Sequence, residues 1–161
     1  MTAATSDISR APDGWLPFTI EEGFIGVNGP LFVRRSRDGI ALGMRVEARH
    51  CNPNNMCHGG MLMTFADMML PIGARYAAQM PAVFLPTINL SMDYLAPAPL
   101  GAWLEGRARV LRVTRNLVFA DGLVTMDETI VARTSGTFKI GKPIAGMSLF
   151  DDVIASAPAP Q

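Results

Sequence analysis

The sequence predicts an α+β fold, in which one long helix is wrapped by one antiparallel sheet. Two strand-like segments come first, then a helical segment that is apolar on nearly every face, and then four further strand-like segments. The breaks between the later strands are short, and short breaks favour antiparallel neighbours. The chain has no internal repeat, so its 161 residues predict a single domain.

The N-terminal part predicts a leader followed by a hairpin. Residues 1–13 are polar and predict a frayed leader, whereas residues 15–26 mix apolar and acidic side chains and predict a short helix or turn packed on the body. Residues 31–48 predict two strands joined at Asp38-Gly39, a residue pair that is favoured in tight hairpin turns.

Residues 59–80 predict the central helix. Apolar residues recur at helical spacing, at positions 61, 62, 65, 69 and 72. Met68 and Leu70 place apolar groups on the other faces, and a helix of this kind is normally enclosed on most sides. Pro71 has no N–H for the carbonyl of Asp67, so we expect the helix to kink or break just after Asp67.

Four strands, at 83–94, 102–113, 117–126 and 130–140, complete a predicted sheet of six. The first of them alternates polar and apolar side chains, which predicts one polar face. The predicted domain spans residues 14–142. Residues 143–161 form a C-terminal tail, and we expect its Pro- and Ala-rich end to be loose.

The composition is apolar and electrically balanced. Hydrophobic residues make up 49% and charged residues 17% of the chain, with a mean hydropathy of +0.23, which argues against disorder and suggests a buried subunit interface. The net charge is zero, so no basic patch indicates nucleic acid or an anionic membrane. The first residues contain no apolar run, and no segment reaches the ~20 apolar residues of a membrane span. A cytoplasmic enzyme or binding protein fits these features.

The start of the predicted helix, His58-Gly59-Gly60, is a candidate binding element. N–H groups in the first turn lack helical partners and carry partial positive charge, and glycine lets a ligand approach them closely. The glycine pair can hold a phosphate, polarise a carbonyl as an oxyanion hole, or simply allow tight packing. His58 can donate a hydrogen bond, exchange protons near neutral pH or satisfy a loop carbonyl. Asn52 can position a polar ligand or act as a turn residue.

Asp67 is the one carboxylate in the apolar helix. An ionised carboxylate is rarely buried without a partner, so Asp67 lies either on a wet edge or in a dry site where it has a function. Asp67 follows Gly59 by eight residues, which is ~12 Å along a helix. Groups that act on one carbonyl must lie within ~3–3.5 Å of it. If both residues are catalytic, Asp67 of one subunit must meet Gly59 of another, which predicts a dimer with two composite sites.

The spacing of the possible metal ligands argues against a metal site. His50, Cys51, Cys57 and His58 bracket the Asn-rich loop. Structural zinc sites combine two closely spaced ligand pairs, and the second pair is absent here. The chain also lacks a nucleophile elbow, a P-loop and a dinucleotide fingerprint. We therefore expect no metal, and Cys51 and Cys57 are read as packing residues rather than nucleophiles.

With these residues in place, the chain resembles hotdog-fold acyl-CoA thioesterases of the PaaI-like (phenylacetate-pathway) branch. The resemblance covers residues 28–141 and is carried by four elements in order: Asn52, His58-Gly59-Gly60, Phe65-Ala66-Asp67 and Tyr94-Leu95-Ala96-Pro97-Ala98. It implies a hotdog fold, in which a curved six-stranded antiparallel sheet wraps the long helix. It also implies a homodimer, often assembled as a dimer of dimers, with a coenzyme A thioester bound between subunits and no separate cofactor.

The resemblance further implies a role for each matching residue. The N–H of Gly59 would polarise the thioester carbonyl, and Asp67 of the partner subunit would activate water as a general base or attack as a nucleophile. Asn52 and His58 would help to hold the thioester and the leaving thiolate. Thr87 would hydrogen-bond Asp67 or the water. The Met-rich helix and Pro71 are not typical of these relatives, so no acyl specificity is carried over.

Some alternatives stay open at this point. Gly60 is assigned to substrate binding with Gly59, and Arg115, in the turn between two late strands, either contacts the nucleotide phosphates of coenzyme A or is a solvated turn residue. A non-catalytic acyl-CoA or lipid-binding protein would use the same pocket. A hotdog enoyl-CoA hydratase would pair Asp and His in another segment, which this sequence does not contain.

Overall fold

The structure is a computed structural model that describes residues 11–18, 22–144 and 148–156. Its helices and strands are β1 (Leu16–Phe18), α1 (Gly23–Asn28), β2 (Leu31–Ser36), β3 (Gly39–Arg45), α2 (Gly59–Ala77), β4 (Thr87–Tyr94), β5 (Trp103–Val113), β6 (Leu117–Met126), β7 (Thr129–Lys139) and α3 (Ser148–Ser156). Most of the predicted leader and the end of the predicted tail lie outside these residues. None of the described helices combines the length and apolar character that a membrane span requires.

A single antiparallel sheet has the strand order β1-β2-β3-β5-β6-β7-β4, so the α+β prediction is confirmed. The described sheet has seven strands, and the prediction of six is wrong. The additional strand is β1, which pairs Leu16 with Val33 and Phe18 with Leu31. The segment 15–26, predicted as a helix or turn, therefore divides into a strand and the helix α1. A three-residue strand is fixed by its partner and has no periodicity of its own to detect.

The first hairpin turns one residue earlier than predicted. Ser36 pairs with Gly39, so Arg37 and Asp38 form the turn rather than Asp38-Gly39. Gly39 has a φ of +133°, which lies in the region that glycine adopts readily. Glycine is therefore needed at the first position of β3.

Strand β4 lies at the edge of the sheet. The predicted meander holds for β5, β6 and β7, but β4 pairs with β7 rather than with its neighbour in sequence, β5. Its other edge has no partner strand among the described residues, and Ile88 on it is 59% exposed. Such an edge presents unpaired N–H and C=O groups that can pair with a second chain.

Helix α2 lies against the sheet, mainly over β3 and β5. The approach is close because two glycines lie at the contact. A Cβ on Gly73 would come within 2.7 Å of the Cβ of Ala108, and a Cβ on Gly106 would come within 2.7 Å of Met69. Phe65 fills the space between helix and sheet and is fully buried.

The predicted break at Pro71 is wrong, because α2 continues through it to Ala77. An internal proline costs a helix ~3 kcal/mol. The residues on either side, Met69, Leu70 and Ala74, are buried in the main core. Burying such side chains contributes about 1.5–3 kcal/mol for each large one, so packing outweighs the lost hydrogen bond.

Helix α3 was not predicted, and it contacts the end of α2 through Asp151. Asp151 accepts hydrogen bonds from the buried Arg75, at 2.6 Å, and from the hydroxyl of Tyr76. The tyrosine hydrogen bond and the guanidinium of Arg75 hold the pKa of Asp151 below its usual range. Residues 143–161, taken as a tail, therefore include a helix that is tied to the domain.

Replacing Asp151 with Asn is expected to lower the free energy of unfolding at pH 7 by about 1 kcal/mol, because a half-exposed ion pair is partly screened. A carboxylate with a lowered pKa stabilises the fold above its unfolded value and loses that contribution as the pH falls through the folded pKa. The difference between the two proteins should therefore shrink below about pH 4. Urea unfolding across this range measures it. Asp152→Asn, on the same helix, is the control and should change little.

Candidate active site

The first turn of α2 leaves one amide free. His58 is the N-cap, and its Nδ1 accepts a hydrogen bond from the N–H of Gly60 at 2.9 Å. The carbonyl of His58 accepts from the N–H groups of Met61 and Leu62, at 2.8 and 3.1 Å. The N–H of Gly59 has no acceptor among the described residues. It therefore remains available to an oxygen of a ligand.

The N-cap hydrogen bond also determines which ring nitrogen of a neutral His58 carries the proton. Because Nδ1 accepts from Gly60, a neutral imidazole carries its proton on Nε2. The side chain is exposed, so this N–H can donate to a bound group beside Gly59. The sequence left open whether His58 is structural or functional. The structure shows the structural role, because Nδ1 caps the helix, and it leaves Nε2 as a donor for a ligand.

Asn52 organises the loop that leads into this turn. Its Oδ1 accepts hydrogen bonds from the N–H groups of Asn54, at 2.9 Å, and Met56, at 3.3 Å. The main chain closes the same loop, because the N–H of Asn52 donates to the carbonyl of Met56 at 2.8 Å. The carbonyl oxygen of the Asn52 side chain thus serves the loop, and its amide nitrogen is the group that remains for a ligand.

Asp67 lies on the exposed side of α2, although Phe65 and Ala66 before it are buried. The sequence leaves two alternatives for Asp67, a solvent-exposed edge of the helix or a dry functional site. Within a single chain, the side chain is solvent-exposed. Its Oδ1 accepts a hydrogen bond from the hydroxyl of Thr87, at 2.6 Å. Thr87 begins β4, so the edge strand holds one oxygen of the carboxylate and leaves the other free.

Tyr94 is a site residue that the sequence did not predict. Its hydroxyl donates to the carbonyl of Gly59 at 3.0 Å. The ring also covers the glycine, because a Cβ on Gly59 would lie 3.3 Å from the nearest ring atoms. The strand end at Tyr94 carries part of the family resemblance, but no local signal in the sequence indicates that it touches the start of α2.

Strand β4 therefore contacts α2 at both candidate residues, with Thr87 on Asp67 near the middle of the helix and Tyr94 on Gly59 at its start. Gly59 and Asp67 lie on one continuous helix, so their separation is ~12 Å along its axis. One small carbonyl cannot contact both within a single chain. Each chain therefore presents a backbone donor and a held carboxylate as two separate halves of a candidate site.

Two further predicted residues lie apart from these halves. The N–H of Gly60 is already bound by His58, so Gly60 contributes an exposed, side-chain-free surface rather than a donor. Arg115 is exposed in the turn between β5 and β6 and forms no hydrogen bond or ion pair with any described residue. The structure does not bring Arg115 into contact with Asp67 or Gly59.

The buried cysteine, Cys57, does not add a thiolate to this site. Burial, and secondarily Cys51, raises the pKa of the Cys57 thiol to about 12, so Cys57 is protonated at neutral pH. Within the described part of the chain, no three His, Cys, Asp or Glu side chains cluster in a way that could hold a metal ion.

Comparisons with known proteins identify similar proteins of one family. The model of the family described as "Thioesterase superfamily" matches residues 54–133, which include His58, Gly59 and Asp67. A Pseudomonas aeruginosa protein named a putative esterase is 29% identical over 132 residues, covering 81% of this chain and 98% of that protein.

Two solved structures are similar in fold. The PaaI protein of the phenylacetic acid degradation operon of E. coli is 24% identical, with a TM-score of 0.60 over 71% of this chain and 83% of that one. A hypothetical thioesterase protein of Streptococcus pneumoniae, solved with coenzyme A, is 20% identical, with a TM-score of 0.62 over 71% of this chain and 88% of that one.

Proposed function

We propose that the substrate of this thioester hydrolase, which matches the thioesterase superfamily over residues 54–133, is a coenzyme A thioester. The family match and the similar structures confirm the predicted resemblance, the hotdog fold and the assignment as a thioester hydrolase. The choice of coenzyme A is supported by the similar fold of the S. pneumoniae protein, which was solved with coenzyme A. The reaction would release a free acid and coenzyme A.

One observation carries the mechanism, namely the N–H of Gly59 at the start of α2 without an acceptor among the described residues. An amide at a helix N-terminus stabilises the negative charge that develops on a carbonyl oxygen during acyl transfer. Asp67, held by Thr87, would take a proton from an attacking water or attack the carbonyl itself. The carbon–sulfur bond then breaks and coenzyme A leaves as the thiolate. These groups need no cofactor.

The remaining residues would orient the thioester. The Nε2–H of His58 points away from the cap and can donate to the thioester or to the leaving sulfur. The amide nitrogen of Asn52 can donate beside it. Arg115 offers an unpaired guanidinium to the phosphates of coenzyme A, from the exposed β5–β6 turn.

A second copy of the chain would complete each site. Two β4 edges that pair antiparallel about a two-fold axis through the strand centre bring Thr87 of one chain opposite Tyr94 of the partner subunit. Asp67, bound to Thr87, then approaches Gly59, which lies against the other chain's tyrosine. The open edge of β4 and the exposed Ile88 support this pairing. A dimer of dimers would add a further contact without changing the site.

The test is thiol release from a panel of acyl-CoA esters, read together with the mass of the protein in solution. We expect release from at least one ester and a mass of a dimer or a multiple of it. Binding of the esters without release from any of them would favour a non-catalytic acyl-CoA-binding protein. A monomer that hydrolyses the ester would contradict the composite site.

A further inference from the structure

Cys51 and Cys57 face each other across the neck of the Asn52 loop. The two residues form an antiparallel bridge. Main-chain hydrogen bonds flank it on both sides, from the N–H of Asn52 to the carbonyl of Met56 and from the N–H of His58 to the carbonyl of His50, each at 2.8 Å. This pattern identifies Cys51 and Cys57 as a non-hydrogen-bonded pair, whose side chains lie on the same face.

The spacing suits a disulfide. The Cα atoms of a non-hydrogen-bonded antiparallel pair lie about 4.5 Å apart. Disulfides span Cα separations of roughly 4.4–6.8 Å. The pair therefore falls at the short end of the range, where a bond forms without moving the main chain far and is more easily reduced than an unstrained one. Both cysteines are free thiols in the structure.

The two thiols differ in access, which sets an order of reaction. Cys51 is half-buried, and its thiol donates to the carbonyl of Glu47 at 3.4 Å. Cys57 is 7% exposed and belongs to the main core. A small oxidant therefore reaches Cys51 first, and Cys57 is the neighbouring thiol that can react with the product.

We propose that Cys51 and Cys57 are a redox modification site, a dithiol that a hydroperoxide converts reversibly into an intramolecular disulfide. The Cys51 thiolate attacks one peroxide oxygen, the O–O bond breaks, and hydroxide leaves and is protonated to water, which gives a sulfenic acid. The Cys57 thiol then gives up its proton as its sulfur attacks the sulfenic sulfur, the S–O bond breaks, and the leaving hydroxide takes up that proton to form a second water. Two thiols are oxidised and one hydrogen peroxide is reduced to two waters.

The bond would act on the active site through the chain itself. Cys57 directly precedes His58, whose side chain and carbonyl hold three amides of the first turn of α2. A disulfide holds its two sulfurs at about 2.0 Å, so forming it draws the Cys57 side chain toward Cys51 and away from its contacts in the core. Displacing the Gly59 amide by ~1 Å can cost an enzyme up to 10²-fold in rate.

The experiment exposes the full chain to hydrogen peroxide, alkylates remaining thiols and maps the peptides by mass. The chain has two cysteines, so any intramolecular disulfide must join Cys51 to Cys57. Both cysteines lie on one tryptic peptide, residues 50–75, and we expect this peptide to be lighter by two hydrogen atoms and to take up two alkyl groups only after a reducing thiol is added. Cys51 found as sulfinic acid with Cys57 still alkylated would overturn the proposal, as would disulfides that join only separate chains.

A second readout tests the link to the site. We expect the oxidised protein to turn over the thioester at least ~10-fold more slowly and to regain its rate on reduction. Turnover is measured as release of the free acid. Cys51→Ser should turn over normally and be insensitive to peroxide. Unchanged turnover of the disulfide form would overturn the link. The mass measurement does not depend on hydrolysis, so a failure of the proposed function would leave it intact.

Discussion

Asp67→Asn is expected to lower the turnover of the preferred acyl-CoA at least ~10²-fold, because a neutral amide neither takes up the proton of water nor attacks a carbonyl as a carboxylate does. The change is otherwise conservative. Asp67 is exposed, and an Asn oxygen can still accept the hydrogen bond from Thr87. Thiol release at saturating substrate measures the effect, and a binding assay should show that the ester is still held.

The matched control is Asp127→Asn. Asp127 lies in the turn between β6 and β7 with a φ of +51°, a conformation that Asn adopts readily. The same chemical change there should leave turnover within about twofold, as surface substitutions usually do. If the two variants turn over equally well, Asp67 has no part in the reaction.

The helix and its spacing could be predicted because they are local. Residues 61 to 72 repeat with a helical period, and the separation of Gly59 and Asp67 follows from the rise of a helix alone. The same local information misled at Pro71. Proline is unfavourable in an isolated helix. The tertiary packing of Met69 and Leu70 offsets this cost, and that packing is visible only in the structure.

The contacts of β4 could not be predicted from alternation. Strict alternation places Thr87 on the same face as Asn89 and Ser91, and Tyr94 on the opposite face. The structure has a bulge at the start of the strand, where Thr87 pairs with Phe138 and Asn89 with Thr137. The extra residue shifts the alternation by one, so each side chain before it points to the face opposite to the one that strict alternation predicts. Thr87 therefore points toward α2, on the same face as Tyr94. Only the family resemblance indicates a role for Thr87 beside Asp67.

Pairings between distant segments were also out of reach. Strand β1 exists because Leu16 meets Val33, and β4 lies at the edge because it pairs with β7 rather than β5. The contact of Asp151 with Arg75 joins residues far apart in sequence. Neither hydrophobic period nor turn chemistry encodes such partners, since both describe a segment alone.

Gly59→Pro is expected to lower turnover ~10²–10³-fold, the usual effect of removing one oxyanion donor. Proline deletes the N–H and is tolerated at the first helical position, where that N–H has no helical acceptor. His58 before it has φ −63° and ψ 138°, an extended conformation that a following proline accepts. Gly59→Ala is the matched control. It adds the same Cβ beside Tyr94, at 3.3 Å, but keeps the N–H, and should retain far more activity.

Combining the two inactivating substitutions in one dimer tests whether each site is built from both subunits. A dimer of one Asp67→Asn chain and one Gly59→Pro chain, isolated through two different tags, has one site with an intact Gly59 and an intact Asp67. Such a mixed dimer should recover about half of the wild-type turnover, although each parent dimer is nearly inactive. If the site lay within one chain, the mixed dimer would remain inactive.

Placing both changes in one chain reverses the expectation. When the doubly changed chain is paired with a wild-type chain, every composite site contains one damaged residue, so the dimer should be nearly inactive despite an unaltered subunit. A site within one chain would instead give about half of the wild-type turnover. The two mixed dimers contain the same pair of substitutions and differ only in how these are distributed. Opposite outcomes therefore arise from the position of Gly59 and Asp67 relative to the subunit boundary, and not from a general loss of stability.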